Sequence, residues 1–301
     1  MAGQKQKRAF GTGTGKGGKF NVAGLLKTLL CVCVFIAVLA GFALLEGYVK
    51  KQAANSQGTR TIEVAVETPG WLNDEIKNRV YAAAAAEVNN GGDDESIAAS
   101  VQRDIQQTVP WLNDARVQIT HNSVRISGQW RKPIALVITD KSKFYLDTDL
   151  VVLDYVPLKD LSVVTVSGLE FGKKTPTPGE VWQGEDLAAG LAVLNKIERM
   201  DATVCPKKPL LSEVNRVDVG NFDGRRNKKE PHIVLYTKSN TQIIWGAEIG
   251  TWQRHLESPD DDKLAKLYTY YQERGTLSGV KYINLRDPRQ TIYLPVDKYE
   301  K

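Results

Sequence analysis

Cysteine and histidine are both scarce in this chain, which holds three of each among its 301 residues. Cys31 and Cys33 lie inside one long apolar run, and Cys205 stands outside it. A single cysteine cannot form a disulfide within its own chain, so the folded part has to be stabilised by its hydrophobic cores. The sequence therefore predicts a free, buried thiol at Cys205, with a bridge to a second chain as the alternative.

Recognisable catalytic and metal-binding motifs are also missing. The histidines His121, His232 and His255 have no partner ligands at the short spacings of zinc motifs. The acidic runs Asp93–Glu95 and Asp260–Asp262 lack the alternating oxygen ligands of a calcium loop, and each precedes a predicted helix, whose dipole favours acids at that end. We therefore expect no catalytic residue, no cofactor and no metal ion.

Positive charge is concentrated at the start of the chain. Residues 1–27 hold six lysines or arginines and no acid, whereas the remainder carries 34 basic and 35 acidic residues. A chain without a basic surface beyond its tail is not typical of nucleic-acid binders. The glycine-rich segment of the tail resembles a phosphate loop, but Phe20 stands where such a loop needs serine or threonine. The sequence predicts a disordered, cytoplasmic basic tail over 1–27.

Thr28–Leu45 is a run of eighteen residues without a charge. As a helix it would be roughly 27 Å long, which is close to the thickness of a bilayer core. The sequence predicts a transmembrane helix over 28–48 and a polar linker over 49–60. Because the basic residues precede the span, the amino terminus is expected in the cytoplasm. A cleaved secretory signal peptide is the alternative.

Residues 61–132 alternate between strand and helix periodicity. Ile62 and Val64 alternate as in a strand, while Ile97 and Val101 recur at the spacing of a helix face. In chain order, the pattern predicts a strand from Thr61, helices over about 74–88 and 96–108, and strands over about 115–120 and 123–130. The fold class is α+β, with a β-α-α-β-β module first.

The string Trp-Leu-Asn-Asp occurs twice in this module, beginning at Trp71 and at Trp111. The first copy precedes a predicted helix and the second a predicted strand, so the two are not an internal repeat. Both tryptophans are predicted to pack as hydrophobic residues rather than to contact a ligand.

Residues 133–301 are predicted to form a second, β-rich domain with two helices. One helix is expected over about 184–199, and the other follows Asp260–Asp262. The alternating segments predict strands over about 163–168, 214–219, 232–238 and 241–246.

The last two of these strands are expected to form a hairpin with its turn at Ser239–Asn240. Trp245 completes an alternating apolar strand, which favours core packing. A binding face formed by Trp245 and Trp252 is the alternative.

The order of short motifs resembles the FtsQ/DivIB family of bacterial cell-division proteins. The first half of the matching segment is similar to the family through Pro110-Trp111, Ala115, Val117, Lys132-Pro133, Ala135, Tyr145–Asp147 and Val151–Leu153. Leu150 stands where the family usually has glycine. The second half is similar through Gly246, Lys263, Leu267, Ile283, Leu285 and Arg286. Asn284 replaces the usual aspartate and Asp287 the usual aromatic residue.

The resemblance implies a single-pass protein of the inner membrane at the division septum. Its extracytoplasmic part would be a POTRA domain over 61–132 and a β domain over 133–301. The implied function is that of a non-enzymatic scaffold of the divisome, which binds FtsB/DivIC-type and FtsL-type partners and helps to control septal wall synthesis. Partner binding would occur by strand addition at the last strand, through Arg286, Gln290, Thr291, Ile292, Tyr293 and Leu294.

Two other functions remain open from the sequence. One is a POTRA-type interaction protein of secretion or outer-membrane assembly, which predicts several POTRA units or a carboxy-terminal barrel. The other is a membrane-anchored enzyme acting on the cell wall, which predicts a nucleophile and its base.

Overall fold

The computed structural model describes residues 60–90, 92–120, 122–171 and 176–289, together with 36, 40, 41 and 44–46. Among these residues no helix has both the length and the apolar character needed to traverse a membrane. The predicted tail 1–27, almost all of the predicted span 28–48 and all but the last residue of the predicted linker 49–60 lie outside the described part. The described residues from Arg60 onward form one compact unit.

The first module has the predicted β-α-α-β-β order. Its three strands form one sheet in the order β1-β3-β2, with β1 parallel and β2 antiparallel to β3. The prediction of two helices followed by two strands is therefore confirmed. The elements are β1 (Thr61–Val64), α1 (Asp74–Asn89), α2 (Asp94–Thr108), β2 (Leu112–Ile119) and β3 (Ser123–Trp130).

Polar side chains fix the starts of both helices. The Asn73 side chain accepts a hydrogen bond from the Glu75 N–H, and the Asp93 side chain accepts one from the Ser96 N–H. These contacts satisfy amides that a helix start otherwise leaves without partners. The Asp93–Glu95 run therefore forms the start of α2, which begins at Asp94, two residues earlier than predicted.

The second region is built on one sheet of eight strands in the order β11-β10-β9-β8-β7-β4-β5-β6. Two helices connect parallel neighbours of this sheet: α3 links β7 to β8, and α4 links β10 to β11. The mixed α+β class is confirmed. The elements are β4 (Ala135–Ile138), β5 (Lys143–Leu146), β6 (Val152–Asp154), β7 (Val164–Ser167), α3 (Glu185–Val204), β8 (Val214–Asp218), β9 (Ile233–Thr237), β10 (Gln242–Gly246), α4 (Asp260–Arg274) and β11 (Tyr282–Asn284).

Helix α3 continues five residues beyond its predicted end at Arg199. The reason is tertiary: the buried Asp201 carboxylate accepts hydrogen bonds from the Leu210 and Leu211 amides and from the Tyr268 hydroxyl. The Cys205 thiol also donates to Asp201, over 3.1 Å. Cys205 is free and half-buried, and burial together with this contact raises the pKa of its thiol to about 11. The thiol is therefore protonated at neutral pH and a weak nucleophile.

The two regions share a core across the predicted boundary at residues 132 and 133. Tyr145 and Leu153, on β5 and β6, belong to the same hydrophobic cluster as helices α1 and α2. The Asp154 carboxylate accepts hydrogen bonds from the Arg79 guanidinium at 2.5 Å and from the Trp111 indole N–H at 2.9 Å. Strand β6 thus joins the first module to the large sheet through both apolar and polar contacts.

The predicted packing roles of the two tryptophans are confirmed. Trp111 is fully buried and makes an edge contact with Tyr145, with ring centroids 5.9 Å apart. Trp71 is half-buried against the same core. Trp245 is also fully buried, which confirms core packing.

Candidate functional site

Within the described residues, strand β11 lies at one end of the eight-stranded sheet, two residues before Arg286 and six before Gln290, where the predicted partner-binding segment begins. It pairs in parallel with β10, and within the described part of the chain β10 is its one strand neighbour. Gln290, Thr291, Ile292, Tyr293 and Leu294 lie outside the described residues. Their assignment to an edge strand stays a prediction.

The backbone of β11 alternates between the two sides of the strand. The Gln242 N–H donates to the Lys281 carbonyl, and the Leu285 N–H donates to the Ile244 carbonyl. Residues 281 and 285 therefore direct these groups toward β10, so the backbone groups of Tyr282 and Asn284 point away from it. On that outer side, the Lys266 ammonium donates to the Asn284 carbonyl over 3.0 Å.

The predicted contact residue Arg286 is held by internal contacts. Its Nε donates to the Glu257 carboxylate over 2.7 Å, and its carbonyl accepts a hydrogen bond from the Ser258 N–H. Its side chain is 30% exposed. Arg286 therefore positions the chain after β11, and only part of its guanidinium is accessible to a partner.

Glu257 lies at the centre of a buried charge network. The Lys263 ammonium, 0% exposed, donates to Glu257 Oε2 over 2.7 Å, and the Ala247 N–H donates to the same oxygen. Burial alone would raise the pKa of Glu257, but the hydrogen bonds from Lys263, Ala247 and Arg286 outweigh it and lower the pKa. The carboxylate is thus ionised at neutral pH and joins the ends of β10 and β11 to α4.

Gly246 is needed for this arrangement. Its φ is +101°, and a Cβ at this position would lie 2.2 Å from Glu257 Oε2. The backbone can therefore approach the carboxylate only where the residue has no side chain.

A shallow pocket of about 250 Å³ lies beside the end of β11 and is lined in part by Leu256, Asn284, Arg286 and Pro288. Leu256 is 90% exposed and adopts the left-handed conformation, with φ 55°. Neither solvent exposure nor a left-handed backbone stabilises a leucine in the isolated chain. The combination places an apolar side chain in solvent next to the candidate edge.

A second cluster of ionisable side chains lies at the end of the β9–β10 hairpin that is next to this pocket. His232 Nδ1 and Glu248 Oε1 are 2.9 Å apart, and the rings of His232 and His255 meet edge to face with centroids 4.8 Å apart. Burial would raise the pKa of Glu248, but backbone hydrogen bonds and the nearby His232 lower it. Sequence spacing did not reveal this cluster, because its members are sixteen and seven residues apart.

The register of the predicted hairpin is the feature of the sequence from which this cluster could have been predicted. Ile233 pairs with Gly246, so the residues just outside this pair, on the two strands, lie at one end of the hairpin. The predicted strands 232–238 and 241–246 already implied that His232 and Glu248 would lie near each other.

No protein-family model matches this chain, and no curated protein matches it either. The resemblance to the FtsQ/DivIB family therefore remains a prediction from the order of its motifs.

Proposed function

We propose that this chain is a non-enzymatic interaction protein of the FtsQ/DivIB type, anchored in the inner membrane by residues 28–48. Its extracytoplasmic part is a POTRA domain followed by a β domain. It binds FtsB/DivIC-type and FtsL-type partners at the division septum by adding a partner strand to the end of its sheet.

The observation that carries this proposal is the position of β11. Within the described residues it is the end strand of the large sheet, and the predicted binding residues Arg286 and Gln290–Leu294 come after it in the chain. Strand addition uses the backbone donors and acceptors of an edge strand for affinity and its alternating side chains for selectivity.

Local backbone geometry supports the family assignment. Leu150 has φ 63°, and the Asp147 carboxylate accepts hydrogen bonds from the Asp149 and Val151 amides around it. The family pattern has glycine at this position, and glycine adopts positive φ without steric cost. The turn that the family's glycine would suit is therefore present here, formed by a leucine and held by an aspartate.

The exposed Leu256 supports a recognition role at this end of the sheet. Residues in unfavourable backbone conformations persist where they are held by their surroundings, and they cluster at functional sites. An apolar side chain beside the proposed edge strand gives a partner segment a hydrophobic contact in addition to backbone hydrogen bonds.

The test is capture of partners by the full-length chain from detergent-solubilised bacterial membranes. Ile292→Pro and Thr291→Pro are compared with the wild type, because neighbouring N–H groups of a strand point to opposite sides. We expect one of the two variants to remain folded, as judged by its urea midpoint, and to lose the FtsB/DivIC-type partner.

Recovery of small division proteins by the wild type, and their loss with a folded proline variant, would support the proposal. Undiminished recovery by two folded variants would exclude strand addition at this segment. Recovery of secretion components in place of division proteins would exclude the divisome role.

A further inference from the structure

We propose that His232, Glu248 and His255 form a binding site for one divalent transition-metal ion of the zinc type. The site is independent of the proposed partner role, because it rests on three side chains of the hairpin end and of the turn before α4. Imidazole nitrogen and carboxylate oxygen are ligands that Zn²⁺ takes readily, and two histidines with one glutamate are a recurring set.

The fold brings the three donors together from separate segments. His232 directly precedes β9, Glu248 lies two residues after β10, and His255 ends a short 3₁₀ helix, Trp252–His255. One nitrogen of each imidazole and one oxygen of Glu248 all lie within 4.8 Å of one another.

The distances between the donor atoms of His232, Glu248 and His255 need only a small adjustment for metal binding. Ligand bonds of about 2.0–2.2 Å in a tetrahedral site put neighbouring donor atoms roughly 3.3 Å apart. His232 and Glu248 are already closer than that, at 2.9 Å. His255 is exposed on a single short turn, so rotation of its side chain can bring its nitrogen to the ion.

Neighbouring groups orient the carboxylate. Glu248 Oε1 accepts a hydrogen bond from the Asp223 N–H at 3.2 Å, and Glu248 Oε2 accepts one from the Thr251 hydroxyl at 3.3 Å. Such outer contacts fix the direction of ligands and raise metal affinity. His232 is buried, so its ring is held in place by packing as well.

Three protein ligands leave one coordination position for water or for a donor from another molecule. The bound ion would tie the 3₁₀ turn to the hairpin end. His255 and Leu256 also line the shallow pocket beside β11, so the ion would fix the wall of that pocket.

Zn²⁺ binding to the full-length chain in detergent can be measured by calorimetry, with Co²⁺ as a spectroscopic probe. The variants are His255→Ala and Glu248→Gln, and Gln253→Ala on the same turn is the matched control. His255 and Gln253 are both exposed, so their truncation leaves the core intact. We expect one Zn²⁺ per wild-type chain, a higher melting temperature with Zn²⁺, and an affinity at least about tenfold lower in the two ligand variants.

The Co²⁺ spectrum separates this site from the cysteines. A nitrogen and oxygen site gives visible ligand-field bands without the near-ultraviolet charge-transfer band of a thiolate. Binding that is equal in wild type and His255→Ala, a spectrum dominated by thiolate, or no saturable binding by the wild type would each overturn the proposal. Loss of binding in His255→Ala but not in Gln253→Ala would support it.

Discussion

The two ends of the large sheet differ in what lies beside their last strands. At the β6 end, the segment 179–182 covers the strand: the Val152 N–H donates to the Glu180 carbonyl, and the Gly179 N–H donates to the Val152 carbonyl. At the β11 end, β10 is the one strand neighbour within the described residues. The β6 end also carries Asp154, which binds Arg79 and Trp111 of the first module.

This difference separates an end of the sheet that stabilises the molecule from the end at which we propose partner binding. The β6 end is closed by local backbone pairing and buried against the first module, so it stabilises the molecule. The β11 end is held by the Glu257 network, and the carbonyls of Asn284 and Arg286 accept hydrogen bonds from Lys266 and Ser258. The proposed strand addition places the partner strand beyond this end, at Gln290–Leu294.

The largest expected effect comes from breaking the network behind β11. In Lys263→Ala, Glu257 loses a fully buried partner, and removing one member of a buried ion pair costs about 3–5 kcal/mol. We expect a loss of that size in the free energy of unfolding measured by urea titration. The control is Lys196→Ala, whose partner Asp261 is 90% exposed and whose ion pair contributes at most about 1 kcal/mol. Equal losses in the two variants would contradict the role of the network.

A smaller effect is expected at the closed end. Asp154→Ala leaves the Trp111 N–H and one contact of Arg79 without a partner, which costs roughly 2–3 kcal/mol. Arg79 retains its bond to Glu75, so the loss is smaller than for Lys263. Tryptophan fluorescence during urea unfolding measures this loss in the free energy of unfolding. Asp149→Ala is the control, because Asp149 is 71% exposed and 3.6 Å from its partner Arg131. A loss as small as that of Asp149→Ala would mean that the modules are not joined through Asp154.

The smallest effect is a gain in stability at the β11 end. Leu256→Asn replaces a leucine in left-handed conformation with a residue that tolerates it, and we expect the chain to gain roughly 0.5–1 kcal/mol. Partner capture should fall at the same time, because the exposed apolar side chain is lost. Leu256→Ala keeps the unfavourable conformation and serves as the control. A destabilised Leu256→Asn variant would show that the leucine is held by contacts of its own.

Local patterns in the sequence predicted most of the secondary structure. The hairpin turn at Ser239–Asn240 is confirmed, with Asn240 at φ 68°, and α1 begins at Asp74, where the sequence predicts a helix. These features depend on residues close together in the chain, so the sequence carries their full signal. The end of α3 was predicted five residues early, because Asp201 is held by residues from other segments.

The candidate sites were predicted only in part. Strand β11 lies where the order of motifs predicted a strand, and Arg286 after it binds Glu257 while 30% of its side chain stays exposed. Its role as a partner contact stays a prediction. The cluster of His232, Glu248 and His255 was missed, because metal motifs are recognised by short spacings and this one is assembled by strand register.

The sequence by itself determined the α+β class, the β-α-α-β-β order of the first module and most helix and strand positions, because hydrophobic period and capping residues act within a few positions. Only the tertiary structure decided which end of the large sheet is closed, that β6 joins the two regions through Asp154, and that Glu257 lies among Lys263, Arg286 and Ala247. Those outcomes depend on contacts between segments that are far apart in the chain, and strand pairing and the burial of charged groups determine these contacts.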